Sequence, residues 1–210
     1  MDPLTFGLVF GALWLLRPRG GAVKEYTSDE RLAVAKQIGA QHGIDPALLL
    51  AITDVESSGK GFRDGRVVIR YEPHVFKKRT GVDVPAKRGG ATVKIRQDKE
   101  YDNLSRAMAI DREAALKSIS MGAPQIMGFN HKAVGYPTVE AMWEAFNESE
   151  ANHYKGLSDF IANDKVLLKA AQVLDFPTIA RKYNGSGGVG IYDPKIKKRF
   201  DHWKRYEVSA

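Results

Sequence analysis

The sequence predicts a mainly helical domain with one small β element, and three observations carry that expectation. Helix-starting signals recur along the chain: Thr27-Ser28-Asp29-Glu30 is a capping box, and Asp45-Pro46 and Asp193-Pro194 each set an Asp ahead of a proline. Strand-like composition is confined to a single run, Val67-Val68-Ile69-Arg70-Tyr71, just behind the turn signal Asp64-Gly65. No internal repeat or low-complexity tract suggests a solenoid or an array.

Taken in order, residues 4–16 are uncharged, Gly-containing and largely apolar, and they stop at Arg17-Pro18-Arg19. Thirteen residues fall short of the ~20 that a spanning helix needs, but they match a signal h-region. Met1-Asp2-Pro3 carries no Lys or Arg and the arginines lie on the far side, so positive-inside logic opposes export of the C-terminal part. Two readings stand: an uncleaved signal-anchor or transient membrane tether, and a plain N-terminal core segment. Pro18 to Ala22 is a linker, which divides the chain into an appendage over 1–22 and a domain over 23–210.

Within the domain, the capping box opens a helix with Leu32, Ala35 and Ile38 on one face, closed by His42-Gly43. A second helix runs from Pro46 to a stop at Gly59. Residues 62 to about 84 predict a hairpin or short sheet, and 85–100, polar and basic, an exposed loop. Helical signals resume over 102–117, and another helix is expected to begin near Pro124. A long helix follows from Thr138 to about Ala162, with Val139, Met142, Phe146, His153, Leu157 and Phe160 on one stripe. Two shorter helices, 165–174 and 177–184, end at Gly185. A basic helix then runs from Asp193-Pro194 to about Tyr206, with Ile196, Phe200 and Trp203 facing the core.

Composition narrows the function classes. The chain of 210 residues is 43% hydrophobic and 27% charged, so it can bury a core and is not wholly disordered. It contains no Cys, which removes disulfides, thiolate metal sites and a thiol nucleophile. The five His are scattered, with no metal-ligand spacing, and there is no phosphate-binding Gly loop or Gly-x-Ser-x-Gly elbow. No metal and no cofactor is expected. A formal charge of +7 favours a polyanionic partner: nucleic acid, anionic membrane or anionic cell wall. No recognition helix or aromatic platform speaks for nucleic acid.

Glu56 is the candidate acid. It sits near the end of the Pro46 helix, which is apolar around most of its circumference and therefore expected to be buried. Desolvation and the negative end of the helix dipole both disfavour its anion. Both raise its pKa, as a general acid near neutral pH requires. The competing reading is a helix-end Glu pointing into water. Asp54, two residues earlier, is expected in a surface or salt-bridge contact.

Four further motifs gain weight from their order. Val55-Glu56-Ser57 is followed by Glu72-Pro73-His74, then by Ser120-Met121-Gly122-Ala123-Pro124-Gln125-Ile126-Met127-Gly128-Phe129, then by Tyr183-Asn184-Gly185 and Tyr192-Asp193-Pro194-Lys195. In this order they resemble the lysozyme-like muramidases and lytic transglycosylases. More closely, they are similar to the N-acetylmuramidase family found as bacteriophage endolysins, over about Thr27 to Trp203. Ala123-Pro124 departs from the bulky apolar residues frequent in that family, so the turn before Gln125 is expected to sit differently. The apolar run 4–16 resembles the signal-arrest-release segments of some endolysins.

The resemblance implies an α+β lysozyme-like fold and cleavage of the β-1,4 bond between N-acetylmuramic acid and N-acetylglucosamine in peptidoglycan. Glu56 would be general acid and Glu72 the second carboxylate that an oxocarbenium-like transition state needs. Glu72 as a solvent-facing strand-end residue is the alternative. Ser120, Gln125, Asn130, Tyr183 and Asn184 would contact the glycan, and His74 would orient Glu72 or be structural. The implied protein is a monomeric endolysin made in the host cytoplasm and acting on the wall in the periplasm. It would be drawn to anionic envelope by its basic last helix and tethered to membrane through 4–16 before lysis. Two rivals remain: a lytic transglycosylase using Glu56 alone, and a non-catalytic wall-binding module.

Overall fold

One helix organises the molecule. In the computed structural model, which describes residues 25–209, Pro46–Ser57 is buried at every position from Ala47 to Thr53. Its Asp45 side chain caps the Ala47 N–H at 2.8 Å, and Pro46 occupies the first turn, as expected from the sequence. Each fully buried Leu in Leu48-Leu49-Leu50 contributes roughly 1.5–3 kcal/mol of burial. The helix ends through Ser58 at φ 59° and Gly59 at φ 71°. A Cβ on Gly59 would stand 2.5 Å from the Arg31 guanidinium and from Asp54 Oδ1, so the exit is tight as well as left-handed.

Ten α-helices are present among the described residues. We number them α1 (Ser28–Gly39), α2 (Pro46–Ser57), α3 (Pro73–Thr80), α4 (Val93–Met108), α5 (Arg112–Lys117), α6 (Val139–Glu148), α7 (Glu150–Asn163), α8 (Lys165–Val173), α9 (Phe176–Asn184) and α10 (Asp193–Ser209). The capping box of α1 forms, and α10 buries Ile196, Phe200 and Trp203 against α2, both as expected. Asp54 is ion-paired with Arg31 at 2.7 Å and accepts the Trp203 indole N–H at 2.9 Å. Arg31 also donates to Tyr154 at 2.9 Å, tying α1, α2, α7 and α10 together just behind Glu56.

The β structure is small. Strands β1 (Phe62–Arg63) and β2 (Arg66–Val67) form a hairpin through Asp64 and Gly65, both at positive φ as a tight turn requires. Strands β3 (Ile69–Tyr71), β4 (Ile119–Met121) and β5 (Ile126–Met127) form an antiparallel sheet in that order, with Ile69 opposite Met121 and Ser120 opposite Met127.

Four expectations are corrected. The sheet region does not extend to 84, because Pro73 starts α3 directly after β3. The loop expected over 85–100 gives way to α4 from Val93, capped by the Thr92 hydroxyl; its buried positions include Gln97 and Asn103, which apolar periodicity does not register. The long helix from Thr138 is two helices, because Ser149 is extended and caps α7 with its own side chain. No helix begins at Pro124, where β4 and β5 are joined by a tight turn. The apolar run 4–16 and the linker lie outside the described residues. No helix among the described residues is long and apolar enough to cross a membrane.

Candidate active site

Glu56 lies in the last turn of α2, half-buried, where the helix meets the C-terminus of α9. The Asn184 amide donates to Glu56 Oε1 at 2.7 Å. Burial pushes the Glu56 carboxyl above its ordinary range, and the Asn184 hydrogen bond draws it part of the way back. The result is an acid that holds its proton longer than a solvated glutamate and has one oriented amide beside it. Asn184 Oδ1 is buried with no hydrogen-bond partner among the described residues.

Asn184 is placed by the end of α9. Gly185 takes φ 85°, and the following turn folds Gly188 back so that a Cβ there would stand 2.9 Å from Asn184 Cβ. Gly188 therefore allows a close approach that no side chain would permit. Tyr183 donates its hydroxyl to the Pro124 carbonyl at 2.7 Å and packs edge-on against Phe160. Its phenol is pushed well above the usual tyrosine range, by burial first and by the nearby Glu56 charge second. This hydrogen bond links the Glu56 side of the site to the β4–β5 turn.

That turn is held from within. Gln125 stands at φ 50°, accepts from the Ser120 hydroxyl at 2.9 Å, and donates to the Gly122 and Val68 carbonyls at 2.8 and 3.1 Å. Ser120 and Gln125 are thus brought together, with both ends of the Gln125 amide engaged, by the turn itself and by Val68 just ahead of β3. His153 supports it from below: its Nδ1 accepts the Ala123 N–H at 3.3 Å while Nε2 lies 2.8 Å from the Phe146 carbonyl. Those partners define a neutral ring protonated on Nε2. Burial brings its pKa down to about 4. A Cβ on Gly122 would stand 2.9 Å from the same ring, so the glycine lets the turn rest on it. The smaller Ala123-Pro124 is accommodated here, with Ala123 fully buried and the Pro124 carbonyl used by Tyr183.

Glu72 occupies the junction of β3 and α3, its backbone N–H bonded to Ser118 O at 2.8 Å. The partners of its carboxylate are all basic: Arg70 Nε at 2.9 Å, and Arg88 and His74 at 3.8 Å. His74 is brought beside Glu72 but is exposed. Glu72 makes no hydrogen bond or ion pair with the Glu56 group among the described residues. Asn130 ends the short 3-10 turn Gly128–Asn130, half-buried, with its side chain in no hydrogen bond among the described residues.

Sequence reasoning missed the supports. Arg31 and Gly188 are examples, and so is Glu150, a buried carboxylate that accepts from the Gly61 and Tyr26 N–H groups at 3.0 Å each. Burial raises the Glu150 pKa against the pull of those two hydrogen bonds. For Gly188 the signal lay in Ser186-Gly187-Gly188; the other two gave none.

A half-buried glutamic acid at the end of a central buried helix, in a helical domain with small antiparallel sheets, is the arrangement of a lysozyme-like fold. The N-acetylmuramidase family model matches residues 45–204, and the chain belongs to that family of peptidoglycan hydrolases. The fold is also similar to a crystal structure of Burkholderia AP3 phage endolysin, with a TM-score of 0.71 and 35% sequence identity, covering 84% of this chain and 71% of that one. Comparison with curated proteins returns no match.

Proposed function

We propose that Glu56 is the general acid that protonates the glycosidic oxygen between N-acetylmuramic acid and N-acetylglucosamine, and that Glu72 is the second carboxylate. The observation that carries this reading is the Glu56 environment: a half-buried carboxyl with a raised pKa and one amide donor, where the end of α2 meets the end of α9. Its proton is retained until a leaving oxygen arrives to take it. Asn184 orients Glu56 and stabilises the carboxylate left after transfer, since its N–H already points at Oε1.

Glu72 stands as an ion-paired carboxylate, the form needed either to meet a developing oxocarbenium ion or to activate water. Tyr183, Ser120 and Gln125 act as positioning residues that hold the β4–β5 turn in place beside the glycan. Asn130 supplies a free amide for sugar hydroxyls.

The role is that of an endolysin, made in the host cytoplasm and acting on the wall at lysis, with residues 23–210 as the catalytic domain. The basic face of α10 and the formal charge of +7 favour adsorption to an anionic envelope. Mass spectrometry of muropeptides released from purified sacculi tests the chemistry. Reducing muramic ends are expected; 1,6-anhydro ends would replace hydrolysis with the transglycosylase reaction, and no released sugar would leave only wall binding.

A further inference from the structure

Gly187 is a glycine that the fold does not require. Among the described residues, ten glycines stand at positive φ, and five more would bring a Cβ under 3.0 Å from a neighbouring atom. Gly187 does neither: its φ is not positive, and a Cβ there would meet nothing within 4 Å. A side chain at such a position restricts the unfolded chain and so stabilises the protein. What the glycine provides instead is room for a ligand to lie directly against the backbone.

Its place in the molecule gives that room a use. Gly187 stands in the 3-10 turn Ser186–Gly188, three residues beyond Asn184, a stretch of at most about 11 Å even when fully extended. Gly188 packs on Asn184, where a Cβ would lie 2.9 Å from Asn184 Cβ, and Tyr192 Cδ2 reaches to 3.6 Å from the same point. The Tyr192 N–H donates to the Gly188 carbonyl at 2.8 Å. Asn184 in turn donates to Glu56 Oε1 at 2.7 Å. Glu56, Asn184, the turn and Tyr192 are therefore joined by unbroken contact. Tyr192 is half-buried, and its hydroxyl makes no hydrogen bond among the described residues yet is not sealed from solvent. Lys195 Nζ, 5.4 Å from the ring centroid, braces the phenol through its π-face. An open hydroxyl and a bare stretch of backbone suit a neutral ring that carries its own hydroxyl and amide groups.

We propose that Gly187 and Tyr192 form a saccharide subsite for a β-1,4-linked N-acetylhexosamine next to the bond being cleaved. The sugar ring lies against the backbone at Gly187, and the Tyr192 hydroxyl exchanges a hydrogen bond with its polar edge. The assignment rests on the glycan-cleaving function proposed for Glu56, because Asn184 is what ties the turn to that carboxyl.

Gly187→Ala and Gly187→Leu test the room. Both are expected to melt at or above the wild-type temperature, since no atom stands in the way. On purified sacculi KM should nonetheless rise, by about 10-fold or more in Gly187→Leu and by less in Gly187→Ala, with the loss falling on KM rather than kcat. Tyr192→Phe should raise KM about 3- to 10-fold, the worth of one hydrogen bond. A wild-type KM in the stable Gly187 variants would overturn the proposal and leave the hydrolase reading intact. Lower melting of Gly187→Ala would also overturn it, by making the glycine structural. Binding is read separately from cleavage, by titrating the Gly187 amide signal in a ¹⁵N spectrum of the full chain with tri-N-acetylchitotriose and with maltotriose. A saturable shift with the N-acetylated sugar alone is expected, with weaker affinity in Tyr192→Phe. Equal shifts with both sugars, or none with either, would contradict the subsite. Should the wild type cleave no wall, the hydrolase reading fails and this titration alone decides whether the subsite exists.

Discussion

Glu56 and Glu72 carry the same side chain in opposite surroundings. Glu56 sits at the end of an apolar helix with a single neutral amide for company. Glu72 sits at a strand–helix junction among Arg70, Arg88 and His74. Burial penalises charge at the first position, and neighbouring cations compensate it at the second. Two carboxyls can therefore divide a reaction, one delivering a proton and the other meeting positive charge, without any difference in covalent structure. In the function proposed here, environment assigns the roles.

The comparison breaks most visibly at Glu56. Glu56→Gln is expected to lower kcat on purified walls by about 10²–10⁴-fold, the usual worth of a positioned acid, with the fold retained by circular dichroism. Glu72→Gln is expected to cost on the order of 10²-fold or more in the same turbidity assay. Full activity in Glu72→Gln would reduce the pair to one working carboxyl.

His153→Leu tests the scaffold between the two. It strands the Ala123 N–H and the Phe146 carbonyl in the core, so chemical denaturation should show a loss of about 2–4 kcal/mol. Asn184→Leu is a smaller and more local change. Without the hydrogen bond that lowers the Glu56 pKa, the alkaline limb of the pH–rate profile should move upward, and kcat should fall about 10-fold.

The subtlest effect is on stability. Because the folded Glu56 pKa is raised above its unfolded value, the stability associated with that carboxyl is complete below the unfolded pKa. It is lost as pH rises through the interval up to the folded pKa. Glu56→Gln should therefore melt higher than the wild type near neutral pH and level with it below about pH 4.

What the sequence disclosed follows the same division. Asp45-Pro46 and the capping box are local signals, and the helices they open stand where expected. The burial of the Glu56 carboxyl was legible because a charge closing a helix that is apolar from Ala47 to Ile52 is a conflict visible in one dimension. The β4–β5 turn was not. Pro124 suggests a helix start, but the strand register of Ser120 with Met127 and the internal hydrogen bonds of Gln125 override that preference. Helix α4 was hidden because its buried face includes the amides Gln97 and Asn103. Pairings across the chain, such as Arg31 with Tyr154 or Glu150 with Gly61, leave no trace in spacing at all.

The most direct measurement is a ¹³C NMR titration of the Glu56 side-chain carboxyl in the free protein. A midpoint above the ordinary glutamate value of about 4.3 is expected, moving higher still in Asn184→Leu. A midpoint at or below that value, unmoved by the substitution, would contradict the assignment of Glu56 as the proton donor.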